Sequence, residues 1–418
     1  MSLWRHGDFL RLWSAQTISQ LGSQITVLAL PLAAILVLHA SAFEVAALTS
    51  VEWAPWLLFS LPAGAWVDRL PRRLMLIATD LGRAAAIVSV PVAYTLDALT
   101  IGQLYAVAFV TGTLTVFFEL AYVAYVPSLV ERRQLGDGNS RLEASRSAAQ
   151  LGGPGLAGLL VQVFSAPVAL LADAVSFVAS ALFLGAIRRR EEPRPRAERQ
   201  HLAAEVKEGI GFVLRHPLMR PSIAFLGASN FFYSVMFGIF LVYAVRSLGF
   251  TAGRVGLVFT LGNISVVAGA LLATRVARLL GIGPAIVLAA FMLGWPLLFI
   301  PLVPGSVAFP AFVGVLSLTG FFGVTINVLA VSLVQAITPD RLQGRAAASR
   351  RLVVLGSVPL GSLAGGGLAA TIGLRETLWV GAVGSTLAFL PVLFSPLRSV
   401  REIPEEAPAE VPLATTAR

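Results

Sequence analysis

The sequence predicts an all-α membrane protein: twelve transmembrane helices in two pseudo-symmetric six-helix bundles. Three observations point there. The chain is 56% hydrophobic and 13% charged, with mean hydropathy +0.81, whereas soluble domains are roughly a quarter charged. A water-facing surface for 418 residues cannot be built from that composition, so the surface must face lipid. Apolar runs long enough to span hydrocarbon recur about twelve times. A charged, proline-containing stretch from Arg188 to Gln200 divides those runs six and six.

The runs fall near 10–38, 43–66, 74–97, 101–127, 140–164 and 166–187, then near 219–246, 253–274, 282–303, 307–336, 345–372 and 376–397. Each must be a helix, because a lone strand in lipid leaves its backbone polar groups unpaired. Pro31, Pro55, Pro62, Pro154, Pro296 and Pro359 lie within them and are expected to kink their helices, with neighbours satisfying the freed carbonyls. After the linker, Leu202, Val206, Ile210, Val213 and Leu214 recur at helical spacing, with Glu205, Lys207, Glu208 and Arg215 on other faces. That pattern predicts an amphipathic helix on the inner membrane surface. The expected organisation is an N-terminal bundle over 1–187, a linker with its surface helix over 188–218, a C-terminal bundle over 219–398 and a disordered Pro/Glu/Ala-rich tail over 399–418.

Orientation follows from the basic residues. Of 31 Lys and Arg, only Arg246, Arg254 and Arg375 fall at outward loops or ends when the first helix runs outward. That asymmetry puts both termini in the cytoplasm and accounts for the net charge of +9 without nucleic acid. The polar N-terminus and the long run after it do not predict a cleaved signal peptide. With no cysteine, and with His6, His39, His201 and His216 never four residues apart, no metal site is expected. No phosphate-binding Gly-x-x-x-x-Gly-Lys-Ser/Thr occurs, no catalytic cluster stands out, and neither enzymatic activity nor a cofactor is expected.

Charges inside the runs are the first site candidates, because an ionisable group at mid-membrane costs roughly 2.5–3.5 kcal/mol on insertion scales. Glu52, followed by Trp53 and Trp56, lies near the midplane; Glu119 sits nearer the cytoplasm and Asp173 nearer the outside. Desolvation penalises a charged carboxylate, so Glu52 and Glu119 are candidate proton carriers that could also pair with a cationic substrate. Asp173 fits a helix–helix hydrogen bond equally well. Asp80 with Arg83, and Glu143 with Arg146, are spaced i,i+3 and read as structural pairs. Gln16, Gln20 and Gln24 recur at i+4; Asn230, Asn263, Asn327 and an aromatic group beginning at Phe231 mark the second half. Together they suggest a roomy, mostly apolar cavity suited to a bulky amphiphile.

Two motifs carry a family resemblance. Gly64-Ala65-Trp66-Val67-Asp68-Arg69-Leu70-Pro71-Arg72-Arg73 joins the second and third runs. It resembles the loop between helices 2 and 3 of the major facilitator superfamily, with Pro71 where that family usually has Gly. The resemblance implies that Gly64, Asp68, Arg69, Arg72 and Arg73 form a conformational switch, Asp68 engaging the start of the eleventh helix near Gly344 and Arg345. A weak repeat near Gly269-Ala270-Leu271-Leu272 has Ala273 in the acid's place. Gly152-Gly153-Pro154-Gly155-Leu156-Ala157-Gly158 is similar to the fifth-helix motif of the exporters in that superfamily, which singles out Gly153, Pro154, Gly155 and Gly158. Phe117 to Tyr122, Pro127 to Val130 and Leu171 to Phe177 look like the bacterial branch of macrolide-efflux-like and siderophore-exporter-like permeases. The resemblance implies proton-coupled efflux of bulky amphiphiles by alternating access, from a monomer in the bacterial inner membrane whose partners are substrate, proton and lipid. A lipid or lysophospholipid transporter is the alternative, and a non-transporting sensor or scaffold a more distant one.

Overall fold

The computed structural model describes residues 3, 6–67, 69–188, 211 and 214–402. Asp68, the amphipathic stretch over 202–213 apart from residue 211, and the tail over 403–418 lie outside the described residues. Among the described residues twelve helices carry the architecture. The first six are α1 (Gly7–Leu36), α2 (Ala42–Val67), α3 (Arg72–Thr95), α4 (Ile101–Leu129), α5 (Leu135–Val163) and α6 (Ala166–Gly185). The second six are α7 (Met219–Val242), α8 (Ala252–Leu280), α9 (Ile282–Gly294), α10 (Ala308–Ile337), α11 (Asp340–Ile372) and α12 (Leu374–Leu387). Among the described residues ten helical stretches are long and apolar enough to cross a membrane. The other two are α2, which carries Glu44 and Glu52, and α5, whose first half is polar.

Side chains start several of these helices by satisfying first-turn amides. Ser41 and Glu44 form a reciprocal capping box on α2, with Ser41 N donating to Glu44 Oε2 at 2.7 Å and Glu44 N to Ser41 Oγ at 3.3 Å. Thr100 caps α4 and Thr251 caps α8. Pro31, Pro91, Pro127, Pro154 and Pro359 sit inside continuous helices. Two prolines instead end regular helix: α9 gives way to a 3₁₀ turn, Trp295–Phe299, containing Pro296, and α12 is followed by a separate turn, Leu390–Leu393, containing Pro391.

Within the first six helices α1 packs on α5 and α6, α3 on α4 and α6, and α2 on α4. The second six repeat the scheme, with α7 on α11 and α12, α8 on α10, and α9 on α10. The two sets meet mainly along α2–α11 and α5–α8. We call the end from which α1 starts the terminal end, and the opposite one the far end. Toward the far end a single apolar core runs through both bundles, joining residues such as Leu32, Val45 and Val161 to Met236, Phe240 and Val255. Toward the terminal end it divides: one cluster (Phe9, Leu76, Tyr125, Leu184) belongs to the first bundle and another (Met219, Ile286, Leu333, Val392) to the second. Beyond the second bundle, Val400 and Arg401, which the sequence assigns to the tail, give their carbonyls to the Gly283 and Ile282 amides at the start of α9.

Candidate functional site

The far-end closure rests on small residues where backbones touch. A Cβ on Gly158 of α5 would lie 2.5 Å from the Ala252 carbonyl oxygen and 3.0 Å from Gly256 Cα on α8. Gly155 faces Thr260 of the same helix, while Gly153 faces the other way, against Gln24 of α1. The fifth-helix motif therefore packs one face on its own bundle and the other on the opposite bundle. Pro154 has no N–H, so the carbonyl four residues back, on Gln150, loses its helical donor. Asn263 Nδ2 of α8 donates to that carbonyl at 3.0 Å, across the seam. Gln162 Oε1 accepts from Thr251 Oγ1 and from Gly253 N at 3.1 and 3.0 Å. The α2–α11 seam is bonded reciprocally: Ser50 Oγ donates to Pro359 O and Ser362 Oγ to Ala46 O, each at 2.8 Å. Arg246 of the second bundle donates to Ala40 O at 2.7 Å.

The apolar core divides toward the terminal end, and the three acids lie differently. Glu52 is half-buried and makes no hydrogen bond or ion pair among the described residues. It stands one turn before Trp56 on the same face of α2, and the Arg351 guanidinium of α11 lies 4.9 Å from the Trp56 ring centre. Gly112 of α4 lets the α2 backbone approach closely at Glu52 itself. Glu119 accepts from Gln20 Nε2 at 3.5 Å and interacts electrostatically with Arg146 of α5, Arg83 of α3 and Arg351. It thus connects the two bundles through charge. Asp173 is 1% exposed inside the first bundle, accepting from Thr26 Oγ1 at 2.5 Å and Ser176 Oγ at 3.0 Å. Gly22 leaves room for it, since a Cβ there would collide with Ser176 and Asp173.

Asp80 and Arg83 form the ion pair their spacing predicts, at 2.5 Å and almost fully buried. The guanidinium lies between the Phe118 and Phe177 rings, 4.4 and 4.1 Å from their centres. The loop arginines hold the terminal end of the first bundle together. Arg72 Nη1 donates to Ala124 O at 2.9 Å, and Arg73 Nε to Leu184 O at 2.9 Å, with a second Arg73 bond to Gly185 O. Arg73 thereby caps the carbonyls at the end of α6. Arg69 is exposed in the turn after Gly64 and the rest of α2.

The amides divide too. Gln16 is buried in the first bundle, with its Oε1 unpartnered. Asn230 donates to its own helix at Leu226 O. Phe231 packs edge-on against Phe232, and the Phe231 carbonyl meets Gly361 of α11. Asn327 Oδ1 accepts from Arg350 Nη2 at 2.6 Å. Arg350 was not singled out by sequence reasoning, because an arginine near the inner end of a span reads as an orientation signal.

Comparison with known proteins agrees with this geometry. The family model described as Major Facilitator Superfamily matches residues 12–353 and, in an overlapping second match, 223–417. The multidrug efflux pump Tap of Mycolicibacterium fortuitum is 25% identical over 405 residues, covering 94% of this chain and 96% of Tap. The uncharacterized MFS-type transporter YfiS of Bacillus subtilis (strain 168) is 26% identical over 222 residues, half of each chain. Among solved structures, a bacterial homologue of the iron transporter ferroportin in its inward-facing state aligns with TM-score 0.72 at 19% identity, over 94% of this chain and 99% of that one. A bacterial homologue of the human lysosomal transporter Spinster, inward-facing and occupied, aligns with TM-score 0.70 at 12% identity, over 98% and 100%. Both structures share the fold. The chain belongs to the Major Facilitator Superfamily and is a multi-pass membrane transporter of that type.

Proposed function

We propose that the protein is a proton-coupled exporter of bulky amphiphilic small molecules, working by alternating access in the bacterial cytoplasmic membrane. One observation carries the reading: the apolar core is continuous between bundles at the far end and split at the terminal end, and Glu52 of α2, on the helix that joins both regions, has no partner among the described residues. With both termini cytoplasmic, as the arginine distribution implies, a cleft between the bundles opens inward and loads from the cytoplasm or the inner leaflet. The likeness to Tap over 94% of the chain supports efflux as the direction.

In this mechanism Glu52 takes a proton when the cleft faces outward and releases it inside, where substrate replaces it. Glu119 senses the exchange through Arg351 of the opposite bundle. The two glycine-lined seams separate as the far end opens, while Asp68 latches the alternative state. Everted membrane vesicles test this. Energised with an inward-acid pH gradient, they should accumulate a lipophilic dye or a macrolide, and an uncoupler should abolish the accumulation. Gradient-independent movement, with the protein present in the membrane, would overturn the coupling.

A further inference from the structure

We infer that the C-terminal bundle contains its own binding site for an acidic amphiphile, with a carboxylate or phosphate headgroup at Arg350 and an apolar body in the chamber behind it. Two adjoining cavities of about 340 and about 410 Å³ lie among α7 to α12, and share Ser229, Asn230, Leu293 and Gly323 as walls. Each is large enough for part of a drug-sized molecule. Arg350 lines the first, toward the terminal end. Its guanidinium has five donors, and Asn327 Oδ1 takes one. No carboxylate pairs with Arg350 among the described residues. Arg83, by contrast, has Asp80, and Arg72 and Arg73 have backbone carbonyls of α4 and α6. Arg350 is half-buried at this cavity with no carboxylate beside it among the described residues, and an incoming acid would supply a counter-charge through a two-pronged contact.

The other end of the chamber is also unfinished. Thr319 and Ser385 line the second cavity, are 6% and 4% exposed, and have buried hydroxyls without a hydrogen-bond partner among the described residues. Between Asn327 and Thr319 the cavities are lined by Ser229, Leu293, Gly323 and Val324, and Leu316, beyond Thr319 on α10, joins Phe237 and Phe259 in the wall of the second. Asn327 and Thr319 are eight residues apart on α10, roughly 12 Å along the axis, the reach of a medium-length acyl chain. The chamber therefore offers a cation, an apolar shaft and two hydroxyls in sequence. A dodecanoate-like acid meets the first two, and one with an oxygen at its far end meets all three. The site rests on the efflux reading only for the direction in which such an acid would travel.

Equilibrium binding of radiolabelled dodecanoate to the purified protein in phosphatidylcholine nanodiscs, without any gradient, tests the site apart from transport. Saturable binding is expected, weakened at least about tenfold in Arg350→Gln, as loss of a charge-assisted contact requires. Arg350→Lys, which keeps the charge, should bind better than Arg350→Gln. 12-Hydroxydodecanoate should bind more tightly than dodecanoate, and Thr319→Val with Ser385→Ala should erase that preference. Displacement by phosphatidylglycerol added to the nanodisc would assign the site to a bilayer lipid, and its failure would assign the site to a free acid. Wild-type affinity in Arg350→Gln, or equal binding of methyl dodecanoate, would overturn the proposal whatever the vesicle assay shows.

Discussion

Gly158→Ala is the sharpest test of the far-end closure. The added methyl would sit 2.5 Å from the Ala252 carbonyl oxygen and 3.0 Å from Gly256 Cα, both backbone atoms that no rotamer change can move aside. Relief requires α5 and α8 to part by about an ångström to reach ordinary contact distance. Overpacking of this kind costs about 1–3 kcal/mol, and only while the far end is closed. The balance between closed and open should therefore shift about 5- to 150-fold toward open. The chain contains no cysteine, so a Gln162→Cys/Thr251→Cys pair reports closure without background. Those side chains bond directly across the seam. Cross-linking should fall in Gly158→Ala. Gly155→Ala is the control: its methyl meets only the Thr260 side-chain hydroxyl, at 2.8 Å, which can rotate away. Undiminished cross-linking in Gly158→Ala, or an equal loss in Gly155→Ala, would refute the reasoning.

Other consequences follow from single contacts. Asn263→Ala should loosen the same cross-link by about 1 kcal/mol. Pro154→Ala gives the Gln150 carbonyl its own helical donor, so the effect should shrink in that background, and a double-mutant cycle measures the coupling. Ser50→Ala with Ser362→Ala removes two reciprocal bonds between α2 and α11 and should favour the open far end by about 1 kcal/mol per bond. Distances between spin labels across that seam would record it. Arg83→Met strands Asp80 in the first bundle and should cost about 3–5 kcal/mol, read as a drop in thermal unfolding temperature. The double change Asp80→Asn/Arg83→Met should recover most of that loss.

Much of the fold was legible because lipid imposes one rule on every span. The run at 307–336 became Ala308–Ile337 and that at 101–127 became Ile101–Leu129. The misses have local causes. The run ending at 274 continues as helix to Leu280, because Arg275 and Arg278 mark the edge of the hydrocarbon and not of the helix. The runs through 303 and 397 lose regular helix earlier, where Pro296 and Pro391 interrupt them. Of the two pairs spaced i,i+3, Asp80 and Arg83 form their buried ion pair, whereas Glu143 and Arg146, both exposed, form none among the described residues. What the sequence left open was decided by long-range partners. Asp173 finds Thr26 147 residues away and Asn263 finds Gln150 113 residues away. Among the described residues Glu52 has no hydrogen-bond partner and Arg350 no carboxylate, and a missing neighbour leaves no trace in a pattern.

The central claim is that Glu52 couples substrate to protons. Purified protein should be reconstituted into liposomes holding a pH-sensitive dye, and an outward substrate gradient imposed without any initial pH gradient. The account predicts that substrate leaving through the wild-type protein drives protons inward, acidifying the lumen. Glu52→Gln should abolish that acidification, while the protein still inserts. Equal acidification by wild type and Glu52→Gln would contradict the claim.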